Sequence, residues 1–275
     1  MGRETRAGAD AGVGRGGRAF ARAYHGRGNA LRQSEIERNA IGTDTRRRRR
    51  VKLKDMGSIR LRETRVLLLR HAETAAPDRF HGAESDVGLG ERGRRQAEAV
   101  AGPLSRRGPV ALYSSRMRRA IETAEPIGRA CALPLKTVAD LHERRIGPLS
   151  GRRKDEGWES YSAVKRQWMA GQIDFTSEGA ESYREIQDRV VPAFLDLSGD
   201  HPGETIVVVA HGVVIRVLLT SLLDGFGPAD FERASIEFVA VHDLRFDGLH
   251  WRAERLGERL ATETGTEATE GAIVD

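Results

Sequence analysis

The sequence predicts an α/β fold: a three-layer α/β/α sandwich with a mainly parallel central sheet and an antiparallel edge. Three observations predict it. Short aliphatic, β-branched runs alternate with longer stretches of helical apolar spacing, the pattern of parallel strands joined by crossover helices. The runs Val66 to Leu69 and Thr205 to Ala210 are apolar almost throughout rather than alternating, as strands covered on both faces are. Near the end, Phe246-Asp247-Gly248-Leu249 reads as a hairpin turn, which makes the last two strands an antiparallel edge pair.

The chain has 275 residues, and its first 55 hold 15 Lys plus Arg against 6 Asp plus Glu, a net +9 that leaves −4 on the other 220. That opening stretch has nine glycines, no apolar periodicity and the run Arg46 to Arg50. Such a composition buries too little surface to fold, so residues 1–55 are expected to be a disordered basic extension. Met56 is an alternative start, and the folded domain is expected over residues 56–258. The strand Val66 to Leu69 comes first, followed by a helix from Glu91 to Leu104, a strand from Val110 to Tyr113 and a helix from Met117 to Ala130. Helices from Asp155 to Met169 and Ser182 to Leu197 precede the strand Thr205 to Ala210, and a helix from Val213 to Leu223 precedes strands at Ile236 to Phe246 and His250 to Arg255. Pro126 and Pro192 fall inside two of these helices, where proline tends to kink the axis. Residues 259–275, rich in Thr, Glu and Gly, are expected to form a disordered tail.

Three strands deliver chemistry at their carboxyl ends, where open α/β sheets bind ligands. The first ends in Arg70-His71, the third in His211-Gly212. After the second, Ser114-Ser115 lead into a helix that Ser115 can cap, with Arg119 about one turn in. The charged loop Leu141 to Gly147 holds Glu143, a candidate acid that could instead pair with Arg144 or Arg145, and Glu73 is its rival. Alone, an Arg-His pair at a strand end is an ordinary feature, and Arg119 beside Arg116 and Arg118 is an ordinary solvated charge. Two Gly-x-Gly-x-x-Gly matches, Gly12 to Gly17 and Gly88 to Gly93, lack the preceding strand that a dinucleotide site requires.

Taken in order, Arg70-His71-Ala72-Glu73, the Ser-Ser-Arg segment with Arg119, the Glu143 loop and Ala210-His211-Gly212 resemble the histidine phosphatase superfamily, the phosphoglycerate mutase-like family. Arg79-Phe80-His81-Gly82, the stretch Asp86 to Gly93 before Gln96-Ala97, and Gly179-Ala180-Glu181-Ser182 support the resemblance, which runs from about Arg65 to about Leu256. It implies a metal-independent phosphomonoester hydrolase with no cofactor, acting on a small phosphorylated metabolite. His71 would be the nucleophile and become a phosphohistidine, Arg70, Arg119 and His211 would complete the phosphate pocket, and Glu143 would be the proton donor. The residue types suit that work. A phosphoryl group in transfer spreads negative charge over its oxygens, which forked guanidiniums can hold. A neutral imidazole offers the attacking lone pair. His211 is more useful protonated, a form that an anion and neighbouring carboxylates would favour.

After Thr74 the chain reads Ala75-Ala76-Pro77 and lacks the Trp-Asn of the mutases, and 68 positions separate Glu143 from His211. The resemblance implies that this stretch is shorter than in the mutases, so a more open pocket favours hydrolysis over the alternative, a 2,3-bisphosphoglycerate-dependent phosphoglycerate mutase. Substrate determinants are expected among Lys154, Trp158, Tyr161, Lys165, Arg166 and Trp168, although the spacing also suits a packing helix, the first reading for the tryptophans. Two readings of another class are a catalytically idle binding module and nucleic-acid contact by the basic extension, for which only nonspecific, salt-sensitive attraction is expected. Cys131 is the single cysteine, so neither an intrachain disulfide nor a multi-cysteine metal site can form. No apolar segment long enough for a signal sequence or a spanning helix is evident, and a cytoplasmic location without membrane association is expected. The sequence does not specify an oligomeric state.

Overall fold

The computed structural model describes residues 63–260; the basic extension, Met56 and nearly all of the C-terminal tail lie outside the described residues. In chain order the elements are β1 (Thr64–Arg70), α1 (Glu91–Ser105), β2 (Ala111–Ser115), α2 (Arg118–Cys131), β3 (Leu135–Val138), α3 (Lys154–Met169), α4 (Tyr183–Gly199), β4 (Thr205–Ala210), α5 (Gly212–Leu222), β5 (Val241–Phe246) and β6 (Trp251–Glu258). One six-stranded sheet has the order β3-β2-β4-β1-β5-β6. The first four strands of that order are parallel, while β5 and β6 add an antiparallel edge. The three-layer arrangement with a mixed, mainly parallel sheet is the one expected.

Strand periodicity explains the layers. In β1, Val66 and Leu68 point to one face with Ile206 and Val208 of β4, against Ile186, Val190 and Phe194 of α4 and Val214 and Leu218 of α5. Leu67 and Leu69 point to the other face with Val207 and Val209, against Val100 and Leu104 of α1 and Ala120, Ala124 and Ile127 of α2. The central strands are therefore covered on both sides, which is why their sequences are apolar runs. Each such Leu, Val or Ile removed from water contributes about 1.5–3 kcal/mol.

Local chemistry sets the helix starts. Ser182 caps α4 through a reciprocal pair in which its side chain accepts from the Glu185 N–H while the Glu185 carboxylate accepts from the Ser182 N–H, a capping box. At α1, a Cβ on Gly93 would lie 1.9 Å from the Glu73 carbonyl oxygen, so only glycine lets this helix lie directly on the loop after β1. Gln96 on the same helix accepts the Glu73 N–H at 2.9 Å, and Ala97 packs on Ala72 and Leu89. The glycines of the Gly88 to Gly93 match thus serve close packing. Helix α2 runs through Pro126 and α4 through Pro192 without ending.

Two expectations need correction. The edge strand β3 has no counterpart in the sequence reading, because its four residues include the exposed Lys136 and Thr137 and form no apolar run. The strand expected from Ile236 begins only at Val241. Residues 236 to 240 form a loop instead, with Val239 in the left-handed region at φ 54° and its N–H bonded to the Arg70 carbonyl at 3.1 Å. Among the described residues no helix is long and apolar enough to cross a membrane.

Candidate active site

Sheet register assembles the centre of the site. Arg70 of β1 pairs with Ala210 of β4, and the His71 N–H donates to the Ala210 carbonyl at 3.0 Å. The next residue in each chain segment is a histidine, so two neighbouring strand ends set His71 and His211 side by side, with ring centroids 5.2 Å apart. Nδ1 of His71 lies 2.7 Å from the Ala72 carbonyl. A carbonyl only accepts, so Nδ1 carries the proton and Nε2 carries the lone pair. Burial, then the charges of Arg119 and Arg70, push the His71 pKa well below the ordinary histidine value. The ring is neutral, as a nucleophile must be.

His211 is fully buried at the N-terminus of α5, and neither of its ring nitrogens has a hydrogen-bond partner. Burial, then Arg119 and His71, push its pKa well down too. In the free protein, burial and positive neighbours therefore favour the neutral ring. In a pH titration of the imidazole resonances of the free protein, His71 and His211 should show no inflection near pH 6.5. Saturating inorganic phosphate should raise the His211 value, and an unshifted His211 would exclude it from the anion pocket.

The two arginines are aimed by backbone carbonyls. Arg70 donates to the Ile236 carbonyl at 2.8 Å and lies 4.2 Å above the Phe238 ring. Arg119, the second residue of α2 rather than a full turn in, is wholly buried. It donates to the carbonyls of Ser85 at 2.8 Å and His81 at 3.3 Å, and burial lowers its pKa to about 10. The cap of α2 is Met117, and Ser115 does not cap it; the Ser115 hydroxyl accepts the Met117 N–H at 3.2 Å. Nε of Arg70 and Nε of Arg119 are buried donors without partners, and His211 adds one N–H and one lone pair, both unpartnered. Each unsatisfied group of this kind costs about 1–3 kcal/mol.

Glu143 is buried, with Oε1 accepting the Arg144 N–H at 2.9 Å and Oε2 accepting the Val213 N–H at 3.3 Å. The residues weighed beside it have contacts of their own. The Arg144 guanidinium donates to the Glu181 carbonyl and lies 4.5 Å above the Trp168 ring, Arg145 pairs with the Glu181 carboxylate, and Glu73 faces Arg92 on α1 at 3.3 Å. Arg189 of α4 holds the loop by donating to the carbonyls of Asp140, His142 and Glu143.

A cavity of about 270 Å³ opens onto Arg70, His71 and Glu143. Arg119 and His211 are not among its lining residues, and the His211 ring lies against His71, which is. Lys154, Trp158, Tyr161 and Lys165 line it as expected, whereas Arg166 pairs with Glu159 on the outer side of α3. The packing reading holds for Trp168, which is core, and fails for Trp158, which is 53 % exposed on the rim. His81 also faces the cavity. Arg216 and Phe238 line it too, although no role was read for either. The signal for Arg216 was its place four residues past Gly212 on the helix that follows His211, which turns it to the same end of the sheet. Among the described residues no group of three or more His, Cys, Asp or Glu is arranged to hold a metal ion.

A neutral imidazole, two carbonyl-held guanidiniums and a buried carboxylate thus lie at the strand ends of an α/β/α sandwich. The chain matches the histidine phosphatase superfamily (branch 1) over residues 66–259 and belongs to that family. It is 34% identical over 189 residues to a metal-independent phosphoserine phosphatase of Arabidopsis thaliana, covering 66% of this chain and 79% of the relative. It is 28% identical over 214 residues to a glucosyl-3-phosphoglycerate phosphatase of Mycobacterium tuberculosis, covering 70% and 94%. The native structure of a mycobacterial glucosyl-3-phosphoglycerate phosphatase superimposes with a TM-score of 0.63 at 25% identity, over 71% of this chain and 99% of that one.

Proposed function

We propose that the protein is a phosphomonoester hydrolase that works through a phosphohistidine on Nε2 of His71, without a metal ion. The observation that carries this reading is the state of His71: neutral, with Nδ1 tied to Ala72, beside buried arginine and histidine nitrogens that lack partners. The Nε2 lone pair attacks phosphorus, the ester P–O bond breaks, and Glu143 gives its proton to the leaving oxygen. Glu143, now a carboxylate, takes a proton from water as the water oxygen attacks phosphorus; the P–N bond breaks and returns neutral His71. Arg70, Arg119 and His211 hold the equatorial oxygens during both displacements. Relatives named as phosphatases, one of them metal-independent, support hydrolysis over phosphate transfer between metabolites. The test is phosphate release from p-nitrophenyl phosphate by the full chain with and without EDTA. The expected result is equal turnover in both; turnover that needs added metal, or appears only as transfer primed by 2,3-bisphosphoglycerate, would overturn the reading.

A further inference from the structure

The loop of residues 236 to 240 gives Arg70 three separate contacts. The Ile236 carbonyl accepts from its guanidinium at 2.8 Å, the Val239 N–H donates to its carbonyl at 3.1 Å, and its Cζ lies over the Phe238 ring, 4.2 Å from the centroid. The loop is braced for this. Val239 stands at φ 54°, a left-handed backbone that β-branched residues rarely adopt and that persists only where the surroundings impose it. Those surroundings are the cluster that holds Leu69 and Val241 and the cluster of Ala72, Leu89 and Ala97, against both of which Val239 packs. Strand β6 backs the start of the loop closely, since a Cβ on Gly257 would stand 3.0 Å from the Ser235 carbonyl oxygen. Held from behind, Phe238 faces the cavity. Its ring is partly exposed and also meets the His71 ring, 5.8 Å between centroids. Arg70 is otherwise short of partners: its Nε is buried without one, and burial lowers its pKa, with the charge of Glu143 opposing. An aromatic face attracts a cation without occupying any of its N–H groups, so Phe238 can hold the guanidinium while leaving donors open to a ligand.

We propose that Phe238 is a positioning residue for Arg70, and that its ring sets how tightly the site holds an anion. This rests on the reading of Arg70 as part of the phosphate pocket. A guanidinium on a long side chain loses rotamer freedom when a ligand fixes it. One already fixed by a carbonyl and an aromatic face has less left to lose, and binding is tighter by that difference. An aliphatic residue of similar bulk would close the cavity wall equally well but has no negative face to offer the cation. What matters is therefore the aromatic face rather than the bulk.

The experiment has two readouts on the full chain. Calorimetry with inorganic phosphate measures the anion: Phe238→Leu, which keeps apolar bulk without the aromatic face, should weaken binding about fivefold or more, the scale of one partly desolvated cation–π contact. Phe238→Tyr restores the face and should stay within about twofold of the parent. The Nε–H resonance of Arg70 in nitrogen-15-labelled protein reads the contact with no ligand present. An aromatic ring shields protons above its face, so this resonance should move downfield in Phe238→Leu and keep its position in Phe238→Tyr. Should Phe238→Leu fold poorly, Phe238→Met fills the same space with an unbranched chain and serves in its place. Phosphate affinity in Phe238→Leu equal to that of the parent, or an Arg70 resonance that does not move, overturns the inference. A resonance that moves as expected in a protein whose parent binds no phosphate and hydrolyses no ester overturns the phosphatase reading, and leaves Phe238 as the residue that holds Arg70.

Discussion

Replacing His71 with alanine is expected to lower kcat for phosphate release by at least about 10³-fold, the scale seen when a nucleophile acting in a coupled set is removed, while the protein stays folded. The fold should survive because the side chain's one hydrogen bond runs to the adjacent residue, Ala72, and its ring meets His211 and Phe238 at the cavity wall rather than in the core. The covalent step supplies a sharper readout. Rapid quenching with labelled substrate should trap phosphate on the unaltered protein as an acid-labile, alkali-stable adduct, the stability of a P–N bond, and none on the alanine variant. Serine is the alternative acceptor, and it is poorly placed: Ser114 and Ser115 are fully buried, the Ser114 hydroxyl donates to the Ser115 carbonyl at 2.9 Å, and the Ser115 hydroxyl is held by Met117. An acid-stable adduct, or a variant within tenfold of the parent, would remove His71 from the nucleophile's role.

The architecture was legible where burial dictates composition. Strands β1 and β4 are covered on both faces, so their sequences could hardly be other than aliphatic, and the residues just past them were readable as site residues because parallel register carries Arg70-His71 and Ala210-His211 to one place. Legibility failed where tertiary contacts decide. Strand β3 is half exposed and held by backbone pairing to β2, which leaves no mark on side-chain pattern. The segment from Ile236 is apolar, yet it bends away because its backbone serves Arg70: the Ile236 carbonyl takes the guanidinium, and the Val239 N–H takes the Arg70 carbonyl. Sequence motifs named His211 but not its charge, since that depends on how completely the fold buries the ring and sets it beside Arg119, His71 and Arg70. Nor could sequence separate the two tryptophans of α3, ten positions apart; a helix repeats every 3.6 residues, and only the walls around it decide that Trp168 is core and Trp158 rim.

Arg189→Met is expected to destabilise the protein by up to about 3 kcal/mol at pH 7, the lower end of the cost of breaking a buried ion pair, because Arg145 still meets Glu181 at 3.5 Å. Arg189 meets Glu181 at 2.9 Å and 3.0 Å, and the Glu181 side chain is only 2% exposed; the same guanidinium also satisfies the Asp140 and His142 carbonyls that frame Glu143. Burial pushes the Glu181 pKa up, but hydrogen bonding and charge from Arg189, with the Arg145 N–H, outweigh it and hold the value below the ordinary glutamate range. The sign follows. A folded-state pKa below the unfolded value of about 4.3 means that the pair's contribution is fully present above that value and is lost as pH falls through the folded one. Without Arg189, only the Arg145 N–H and its half-exposed guanidinium oppose burial, so the carboxyl of the variant is costlier to ionise than in the parent. The stability gap between parent and variant, measured by urea unfolding, should therefore widen from pH 3.5 to pH 7. Glu181→Gln added to Arg189→Met should recover part of the loss, because it removes a buried charge left with only the weaker Arg145 contact and leaves the uncapped carbonyls. A gap that does not change with pH would mean that Arg189 supports the Glu143 loop through those carbonyls alone, with the ion pair contributing nothing.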